Sequence, residues 1–447
     1  MAIKAKLTTF DTTMIVVSLV IGIGIFRTPA IVAQACQASS LFYAAWILGG
    51  FISLLGALTF AEIGSRFPHP GSFYKVVADT YGSAPAFLLN WTNVVIVNGA
   101  GVAAVAITGA EYLNPVILPQ RLQSQLAVDF SAAGLVLLLL VVNYLGIKTG
   151  AWAQNILTVL KVGMIALIVL AAVAYRGGPA AHASPALPKS WGLALAAGLI
   201  SVFYTYGGYH HTINFGADVR NARRNMPRAI VLGIFIILAC YVSINIAYHK
   251  ILGLSGIAGA KLVAAETAKV VFGNAGYLFV SIVIVLSCLG FLNVTLMHMP
   301  RIYYAMAEDG VMPRIFKKVH PRTQAQAFGL FFLGGMIILS VFFLSTFEAI
   351  VNYVMFLDSL NIAVAASTIF ALRRRASRSA IPYDGYKAPF YPVLPALFTL
   401  FLLGISLNVF LTQTREALLG AIFFVAGLPV FLFMRKIEKR KTGDSRL

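Results

Sequence analysis

Apolar runs long enough to cross a bilayer occupy most of this chain of 447 residues. A spanning helix needs about 20 mostly apolar residues. Twelve runs approach that length, near residues 11–34, 41–65, 85–110, 130–147, 150–175, 191–215, 227–249, 275–305, 327–346, 349–372, 391–412 and 416–434. Because backbone polar groups in lipid must be satisfied within the protein, these runs predict an all-α integral membrane protein with twelve transmembrane helices.

Lysine and arginine indicate how the predicted spans are oriented. If both termini are cytoplasmic, 25 of the 34 basic residues fall in cytoplasmic segments and 7 in outer loops, with Arg27 and Lys161 inside spans. Cytoplasmic loops of membrane proteins carry an excess of these residues. We therefore expect both termini in the cytoplasm and lipid around the spans. The net charge of +19 then reflects topology and gives no reason to expect nucleic acid binding.

Glycine pairs interrupt two of the spans: Gly22 and Gly24 in the first, Gly207 and Gly208 in the sixth. Glycine costs about 1 kcal/mol relative to alanine inside a helix. Irregular backbone at membrane depth is tolerated only where it is buried in protein or lines a cavity. Close helix packing is the alternative, although Gly22 and Gly24 are two positions apart and do not share a helix face. Breaks at corresponding positions in two sets of spans favour a binding site.

A broken helix presents two kinds of backbone group to a ligand. N–H groups are unpaired where the downstream half begins, C=O groups where the upstream half ends, and the two ends carry opposite partial charges. N–H groups around Ile23 and Gly24 would therefore face an anion, and the carbonyls of residues 19–22 a cation. The segment 203–210 offers the same pair of ends in span six. A zwitterion fits such a site.

Five segments resemble the amino acid, polyamine and organocation (APC) transporter superfamily, near its L-type amino acid transporter branch. They are GIGIF at 22–26, YGGY at 206–209, NARRNMPRAI at 221–230, RIYYAMAEDG at 301–310 and YPVLP at 391–395. The resemblance covers essentially the whole chain. It implies one transmembrane domain over 1–447 with a LeuT-type fold, in which helices 1 and 6 are discontinuous. Residues 10–175 and 191–373 would form two inverted repeats of five spans, and 391–434 two peripheral helices.

The same resemblance implies how an amino acid would be held. Backbone N–H groups of Ile23 and Gly24 would bind its carboxylate, and Tyr204 would be an aromatic gate above it. Two departures are visible: Ile23 lacks the hydroxyl of the serine found in many relatives, and His210 replaces an asparagine common in L-type relatives. The carbonyls expected to bind the amine are those near Val20 and Ile21 and those of Tyr204 and Gly207. The expected substrate contacts are Val20, Ile21, Gly22, Ile23, Gly24, Asn98, Tyr204, Gly207, Gly208 and His210.

Lys161 lies in the middle of span five, where a charge is costly enough to suggest a paired or functional role. In sodium-independent relatives a lysine at the matching place takes the position of a sodium ion. The resemblance therefore implies that Lys161 contacts the carbonyls ending the upstream half of span one and also Ser287 of span eight. We predict transport without sodium. Proton coupling through Lys161 and a purely structural cation both remain open.

Arg27 and Asp358 lie at similar depths in the outer halves of spans one and ten. In the implied architecture these spans line the outer vestibule, so an ion pair between the two residues, together with Tyr204, would close over bound substrate. The alternative is that Arg27 extends outward to the interface and that Asp358 is hydrogen-bonded within its bundle.

Histidines do not indicate a metal site. His210 and His211 are adjacent and point to different faces, and no cluster of Cys, His and carboxylate residues is evident. We expect His210 to face the side-chain pocket, whereas His211, His298 and Glu62 are interpreted as structural. No cofactor or metal is expected.

The sequence thus predicts a secondary active transporter of neutral L-amino acids. Spans 1, 2, 6 and 7 would rock against spans 3, 4, 8 and 9 to give alternating access, with sodium-independent exchange. Proton-coupled symport is the alternative mechanism. Polyamines are disfavoured, because no acidic side chain is expected near either break.

Other classes of protein fit less well. An enzyme would need paired carboxylates, a metal cluster or an activated nucleophile, and none is recognisable. A membrane nutrient sensor would be expected to carry a soluble output domain. The outer loop 113–129 has no cysteine, so no disulfide-linked ancillary subunit is expected. We predict a monomer in a prokaryotic cytoplasmic (inner) membrane.

Overall fold

A computed structural model describes residues 4–93, 99–177, 187–343, 347–378, 383–412 and 414–442. Within these residues the regular elements are helices, with two isolated β-bridges. The α-helices are α1 (Thr9–Val20), α2 (Gly24–Cys36), α3 (Ser39–Arg66), α4 (Ser72–Tyr81), α5 (Ser83–Thr92), α6 (Val102–Ile117), α7 (Gln125–Tyr144), α8 (Ile147–Ala174), α9 (Trp191–Thr205), α10 (Ala222–Gly259), α11 (Val263–Phe272), α12 (Gly276–Glu308), α13 (Ala327–Phe343), α14 (Phe347–Ser377), α15 (Val393–Thr412) and α16 (Thr414–Thr442). Short 3₁₀ helices lie at Gln120–Leu122, Tyr209–Asn214, Gly273–Ala275 and Arg314–Lys317.

The chain is an integral membrane protein by the length and composition of these helices. In the described ranges nine helices are long and apolar enough to cross a membrane, and the bent pair α1 and α2 makes a tenth. Helix α13 is apolar but has only 17 residues. Each predicted run coincides with a helix or a pair of helices. The count of twelve spans and the inverted repeat remain predictions.

Helix α1 begins and ends for local reasons. Thr8 caps its start, because the Thr8 side chain accepts from Asp11 N at 3.2 Å and the Asp11 carboxylate accepts from Thr8 N at 2.9 Å. The helix ends at Val20, and Gly22 N turns back to donate to Val20 O at 2.8 Å. Helix α2 resumes at Gly24 at an angle of 42° to α1. The first glycine pair therefore breaks the span where the sequence predicted.

The third predicted span differs from the expected continuous helix. Helices α5 and α6 flank π-helical turns at Asn93 and at residues 99–101. Such turns are rare and often occur at functional sites. Asn98, expected among the substrate contacts, lies outside the described residues.

The end of the bundle near the N-terminus is tied together by buried polar contacts. Lys6 N and Leu7 N donate to Asp218 O at 2.7 and 2.8 Å. The Asp218 carboxylate in turn binds Arg301 of α12 in a bidentate ion pair, with Nη2 to Oδ1 at 3.0 Å. The N-terminal segment, the loop before α10 and helix α12 are thereby joined at one end of the molecule.

Candidate functional site

The two helix breaks lie against each other. Gly208, in the turn after α9, has φ +111°, and a Cβ added there would lie 2.4 Å from the carbonyl oxygen of Leu19. A Cβ added to Gly24 would lie 3.2 Å from Cγ2 of Thr205, the last residue of α9. Only glycine adopts such a φ without strain and permits so close a backbone approach. Gly208 therefore allows the second break to pack on the end of α1.

Tyr241 of α10 joins the two breaks directly. Its hydroxyl lies 3.0 Å from Val20 O, at the end of α1, and 3.1 Å from Thr205 O, at the end of α9. The residue is fully buried. A phenol has one hydrogen, so the two carbonyls share a single donor. Sequence reasoning missed Tyr241, although a tyrosine in the middle of an apolar run signals a buried hydroxyl that needs a partner.

The downstream half of the first break presents unpaired donors. In the described part of the chain, no hydrogen bond is formed by the N–H groups of Ile23, Gly24 or Ile25, and the next one, Phe26 N, donates to Ile23 O at 3.0 Å. Gly22, Ile23 and Gly24 are partly exposed. The N-terminus of α2 therefore offers free N–H groups and a partial positive charge to an anion.

Lys161 of α8 reaches the end of the upstream half of the first break. Its Nζ lies 2.5 Å from Ile21 O and 3.5 Å from Ser18 Oγ, and the residue is completely buried. A Cβ added to Gly290 of α12 would lie 3.0 Å from that Nζ. The expected contact between Lys161 and the span-one carbonyls is therefore present in the structure.

Ser287 does not make the hydrogen bond expected with Lys161. Its Oγ is buried and has no partner among the described residues. On α12 the position that faces the amine is Gly290, where an added Cβ would lie 3.0 Å from Lys161 Nζ. The carbonyls of Val20 and Ile21, predicted to bind a substrate amine, already receive the Tyr241 hydroxyl and the Lys161 amine. Val20 O also accepts from Gly22 N at 2.8 Å, so of these two oxygens Ile21 O is the one with a lone pair still free among the described hydrogen bonds.

The second break places Tyr204 against α14. The Tyr204 hydroxyl hydrogen-bonds to the Ser359 side chain and is close enough to the Asp358 carboxylate to interact with it electrostatically. Gly207 N donates to Tyr204 O at 3.2 Å, and Tyr206 N–H, shared with Val202 O, also points to this carbonyl. Tyr204, Gly207 and Gly208 are all partly exposed. The side chain of Tyr204 is therefore positioned by α14 at the edge of the second break.

After the second break, span six continues differently from the prediction. The chain forms a short 3₁₀ helix, Tyr209–Asn214, in place of a half-helix with the same ends as α2. His210 packs against the rings of Phe60 and Phe73 at centroid distances of 5.7 and 5.4 Å. His211 stacks on His298 at 4.8 Å. These contacts place His210 in an aromatic cluster, and its role in a side-chain pocket remains a prediction.

Arg27 and Asp358 do not form the expected ion pair in this conformation. Arg27 is exposed on α2, and within the described ranges neither residue takes part in a salt bridge. Asp358 instead lies beside Tyr204, because α14 presents Asp358 and Ser359 to the end of α9. The expectation that no acidic side chain lies near either break is therefore wrong.

Known proteins are similar to this chain over nearly its whole length. The sequence model of a family described as amino acid permease matches residues 7–432. The serine/threonine exchanger SteT of Bacillus subtilis (strain 168) is 29% identical over 427 residues, or 94% of this chain and 95% of that protein. The human b(0,+)-type amino acid transporter 1 is 27% identical over 428 residues, 94% of this chain and 85% of that protein. The human cystine/glutamate transporter is 24% identical over 445 residues, 96% of this chain and 85% of that protein. These matches confirm the resemblance that the sequence motifs indicated.

Proposed function

Because this chain belongs to the amino acid permease family, we propose that it is a secondary active transporter of neutral L-amino acids that works by sodium-independent exchange. One observation of this structure supports the proposal independently of family membership. The two helix breaks meet, with unpaired N–H groups on α2 and with Tyr241 bridging the ends of α1 and α9. A small zwitterion has the charges that such a pair of breaks can accommodate.

The substrate carboxylate would bind the N–H groups of Ile23 and Gly24. The partial exposure of both residues supports this assignment, as does the space beside Gly22, where an added Cβ would have no atom within 4 Å. The carbonyls of Tyr204 and Gly207 would accept hydrogen bonds from the substrate amine. Ile21 O would contribute through the lone pair that Lys161 leaves free, whereas Val20 O, which accepts from Gly22 N and Tyr241, would have to give up one of these bonds to bind the amine.

Independence from sodium is supported by Lys161. Its ammonium group supplies positive charge beside Ile21 O, where a bound cation would otherwise be needed to satisfy the carbonyls ending α1. In a conformation that brings the Ser287 hydroxyl to the Lys161 amine, these two groups together would take the place of a bound sodium ion.

Exchange by alternating access is supported by the relatives, one of which is called a serine/threonine exchanger. Spans 1, 2, 6 and 7 would move as one body against spans 3, 4, 8 and 9. Tyr204 would gate the outer side, and closure would bring Arg27 from its exposed position toward Asp358. At the other end, the Asp218–Arg301 ion pair would separate when the site opens there.

Proton-coupled symport is the second candidate mechanism. The observation that favours it is the complete burial of Lys161 without an ion pair to any carboxylate in the part of the chain that the structure describes. Burial of a charge without a partner is costly, which disposes such a group to release its proton. A membrane nutrient sensor is the non-transporter alternative, and no observation favours it.

Transport in proteoliposomes distinguishes these mechanisms. Vesicles containing the purified protein would be preloaded with one amino acid, and efflux followed with and without external substrate, sodium and a pH gradient. Efflux that requires external amino acid but not sodium supports exchange. Accumulation in unloaded vesicles driven by a pH gradient indicates proton symport, and a requirement for sodium contradicts the role given to Lys161.

We further propose that both termini lie on the cytoplasmic side of a prokaryotic inner membrane. The excess of basic residues in the segments assigned to that side supports the orientation. We also propose a monomer, and the cysteine-free loop 113–129 supports the lack of a disulfide-linked ancillary subunit. Labelling of single cysteines introduced near each end, in intact and permeabilised cells, would test the orientation.

A further inference from the structure

Glu62 lies at the C-terminal end of α3, the end assigned to the cytoplasmic side, and is completely buried. Its Oε1 accepts from Arg66 Nε at 2.6 Å and from Arg373 Nε at 2.8 Å. Its Oε2 accepts from Arg373 Nη2 at 2.6 Å and from Ala388 N at 2.6 Å. Arg373 belongs to α14, and Ala388 to the segment 383–391 that precedes α15. One carboxylate therefore joins α3, α14 and this segment through four hydrogen bonds.

Both arginines of this cluster also stack on tyrosines of the segment 383–391. Arg66 Cζ lies 3.9 Å from the ring centroid of Tyr383, and Arg373 Cζ lies 3.9 Å from that of Tyr391. A guanidinium can bind a carboxylate with two nitrogens while its flat face lies on a ring, which a lysine ammonium cannot do. The position of each arginine is thus fixed from two directions.

Ser65 extends these contacts to α10. Its hydroxyl donates to Arg223 O of α10 at 2.6 Å, lies 2.6 Å from the Tyr383 hydroxyl and accepts from Tyr386 N at 3.3 Å. We call this group the α3 clamp, and it consists of Glu62, Ser65, Arg66, Arg223, Arg373 and 383–391. The clamp holds the ends of α3 and α10, the predicted spans 2 and 7, against α14 and the segment before α15.

The α3 clamp connects parts of the molecule that have different places in the proposed cycle. Spans 2 and 7 are expected to move, whereas spans 10 and 11, formed by α14 and α15, belong to neither of the two bodies. Helices α14 and α15 are themselves joined, with Ser359 Oγ 2.8 Å from Ser406 Oγ. Separation of the clamp would leave a buried carboxylate without its arginine partners, which is strongly destabilising. At the opposite end, Ser39 of α3 and His249 of α10 hydrogen-bond to each other at 3.0 Å, so that end of the two helices can move as one unit.

We propose that Glu62 is a positioning residue for transport. It keeps the C-terminal end of α3 on α14 throughout the cycle, and this end is the pivot about which spans 2 and 7 tilt. The inference rests on the proposed function, because alternating access requires these spans to move. The hydrogen bonds of the Glu62 carboxylate lie within the α3 clamp, so its loss should slow the tilt without altering the contacts of the substrate.

Exchange kinetics test the positioning role. In Glu62→Gln the rate of serine exchange per folded molecule should fall by about tenfold, since such gating motions commonly limit turnover, while the KM for serine is unchanged. Glu62→Asp keeps the charge and should recover part of the rate. A merely structural role would lower the yield of folded protein and leave the rate per folded molecule as it was. If Glu62→Gln does not fold, Arg373→Lys takes its place, because it keeps the charge and loses the two-nitrogen, stacked contact.

The matched control is Asp79→Asn. Asp79 of α4 pairs with Arg375, which lies two positions after Arg373 on α14, and both side chains are exposed. Exposed ion pairs contribute little, so the rate and the KM of serine exchange should not change. An unchanged rate per folded molecule in the variants of the clamp, or an equal loss in Asp79→Asn, would overturn the inference.

Distances between spin labels on α10 and α15 test the pivot directly, in a protein whose three cysteines are replaced by alanine. Labels at Arg224→Cys and Val393→Cys report the clamp end, and labels at Lys250→Cys and Thr412→Cys report the opposite end. All four positions are exposed. Addition of serine should change the distance at the opposite end and leave that at the clamp end unchanged, and Glu62→Gln should broaden the clamp-end distribution. A shift at the clamp end, or equal behaviour of the two ends, contradicts the pivot.

The two measurements separate this inference from the proposed function. If the wild-type protein exchanges no amino acid, the proposed function fails. The pivot is then judged from the distance distributions without substrate. A narrow distribution at the clamp end and a broad one at the opposite end support it, and equal widths overturn it.

Discussion

Tyr241 of α10 places its hydroxyl 3.0 Å from the carbonyl oxygen of Val20, although the two residues are 221 positions apart in the chain. The same hydroxyl is 3.1 Å from Thr205 O. One side chain thus holds the ends of two interrupted helices that belong to different parts of the sequence. Any movement of α1 relative to α9 must stretch or exchange these hydrogen bonds.

Tyr241→Phe should slow transport without unfolding the protein. Removal of the hydroxyl takes the donor from the Thr205 carbonyl and leaves Val20 O with Gly22 N alone, at a cost of about 1–3 kcal/mol. We expect the exchange rate to fall by about tenfold, since 1.4 kcal/mol corresponds to a factor of ten. The measurement is serine exchange in proteoliposomes, with size-exclusion chromatography to check folding.

Tyr248→Phe is the matched control for this change. Tyr248 lies two turns further along α10, is fully buried, and its hydroxyl has no hydrogen-bond partner among the described residues. Its removal should leave the exchange rate unchanged. Equal losses in both variants would show that the hydrogen bonds of Tyr241 are not responsible.

Lys161→Ala should reduce uptake by at least about tenfold, because Ile21 O loses the donor 2.5 Å away and a buried carbonyl without a partner is destabilising. Uptake by the wild-type protein should be the same with sodium and with choline as the external cation. Lys250→Ala is the control, since Lys250 also donates to a helix carbonyl, Val173 O at 3.2 Å, but is exposed. Uptake that is unchanged by Lys161→Ala, in either cation, would contradict the assignment.

Gly208→Ala should destabilise the protein. The residue has φ +111°, and its new Cβ would lie 2.4 Å from Leu19 O, so the contact between the two breaks would have to open. Adding a side chain where φ is positive costs about 1 kcal/mol or more before any clash is counted. A lower melting temperature in detergent is the expected result, and a melting temperature equal to that of the wild-type protein would contradict the close approach.

Gly22→Ala should affect binding rather than folding. No atom lies within 4 Å of a Cβ added at Gly22, so the melting temperature should stay near the wild-type value. If the substrate carboxylate binds at Ile23 and Gly24, the new methyl group intrudes into that space and raises the KM for serine. Gly134→Ala on α7, where a Cβ also meets no atom within 4 Å, should leave the KM unchanged and the melting temperature equal to or above the wild-type value, because alanine is the better helix former. An unchanged KM in Gly22→Ala would argue against a carboxylate beside this glycine.

Asp218→Asn should lower the stability of the protein. The carboxylate and Arg301 form a buried bidentate pair, and removal of one partner from such a pair costs about 3–5 kcal/mol. Asp384→Asn is the contrast, because its pair with Arg223 is exposed and 3.8 Å long, and such pairs contribute about 0–1 kcal/mol. Thermal unfolding in detergent should separate the two variants clearly. Equal shifts would mean that burial of the Asp218 pair has no energetic consequence.

Much of the fold follows from local properties of the sequence. The length of an apolar run decides whether it can span a membrane, and a glycine weakens a helix wherever it stands. For this reason the helices fall where the runs predicted, and α1 stops near Gly22. The family resemblance is also a local property, because short motifs around the breaks and after spans six and eight indicate it. The match of the family to residues 7–432 confirms it.

The partners of the site residues were decided only by the tertiary structure. Tyr241 meets Val20 and Thr205, and Asp358 lies beside Tyr204 and not Arg27, because of how helices distant in the chain pack together. A single sequence shows that a hydroxyl, an amine or a carboxylate is buried and needs a partner. Which backbone or side-chain group becomes that partner depends on how each helix is rotated and how deep it lies in the bundle. The length of an apolar run and the position of a glycine specify neither.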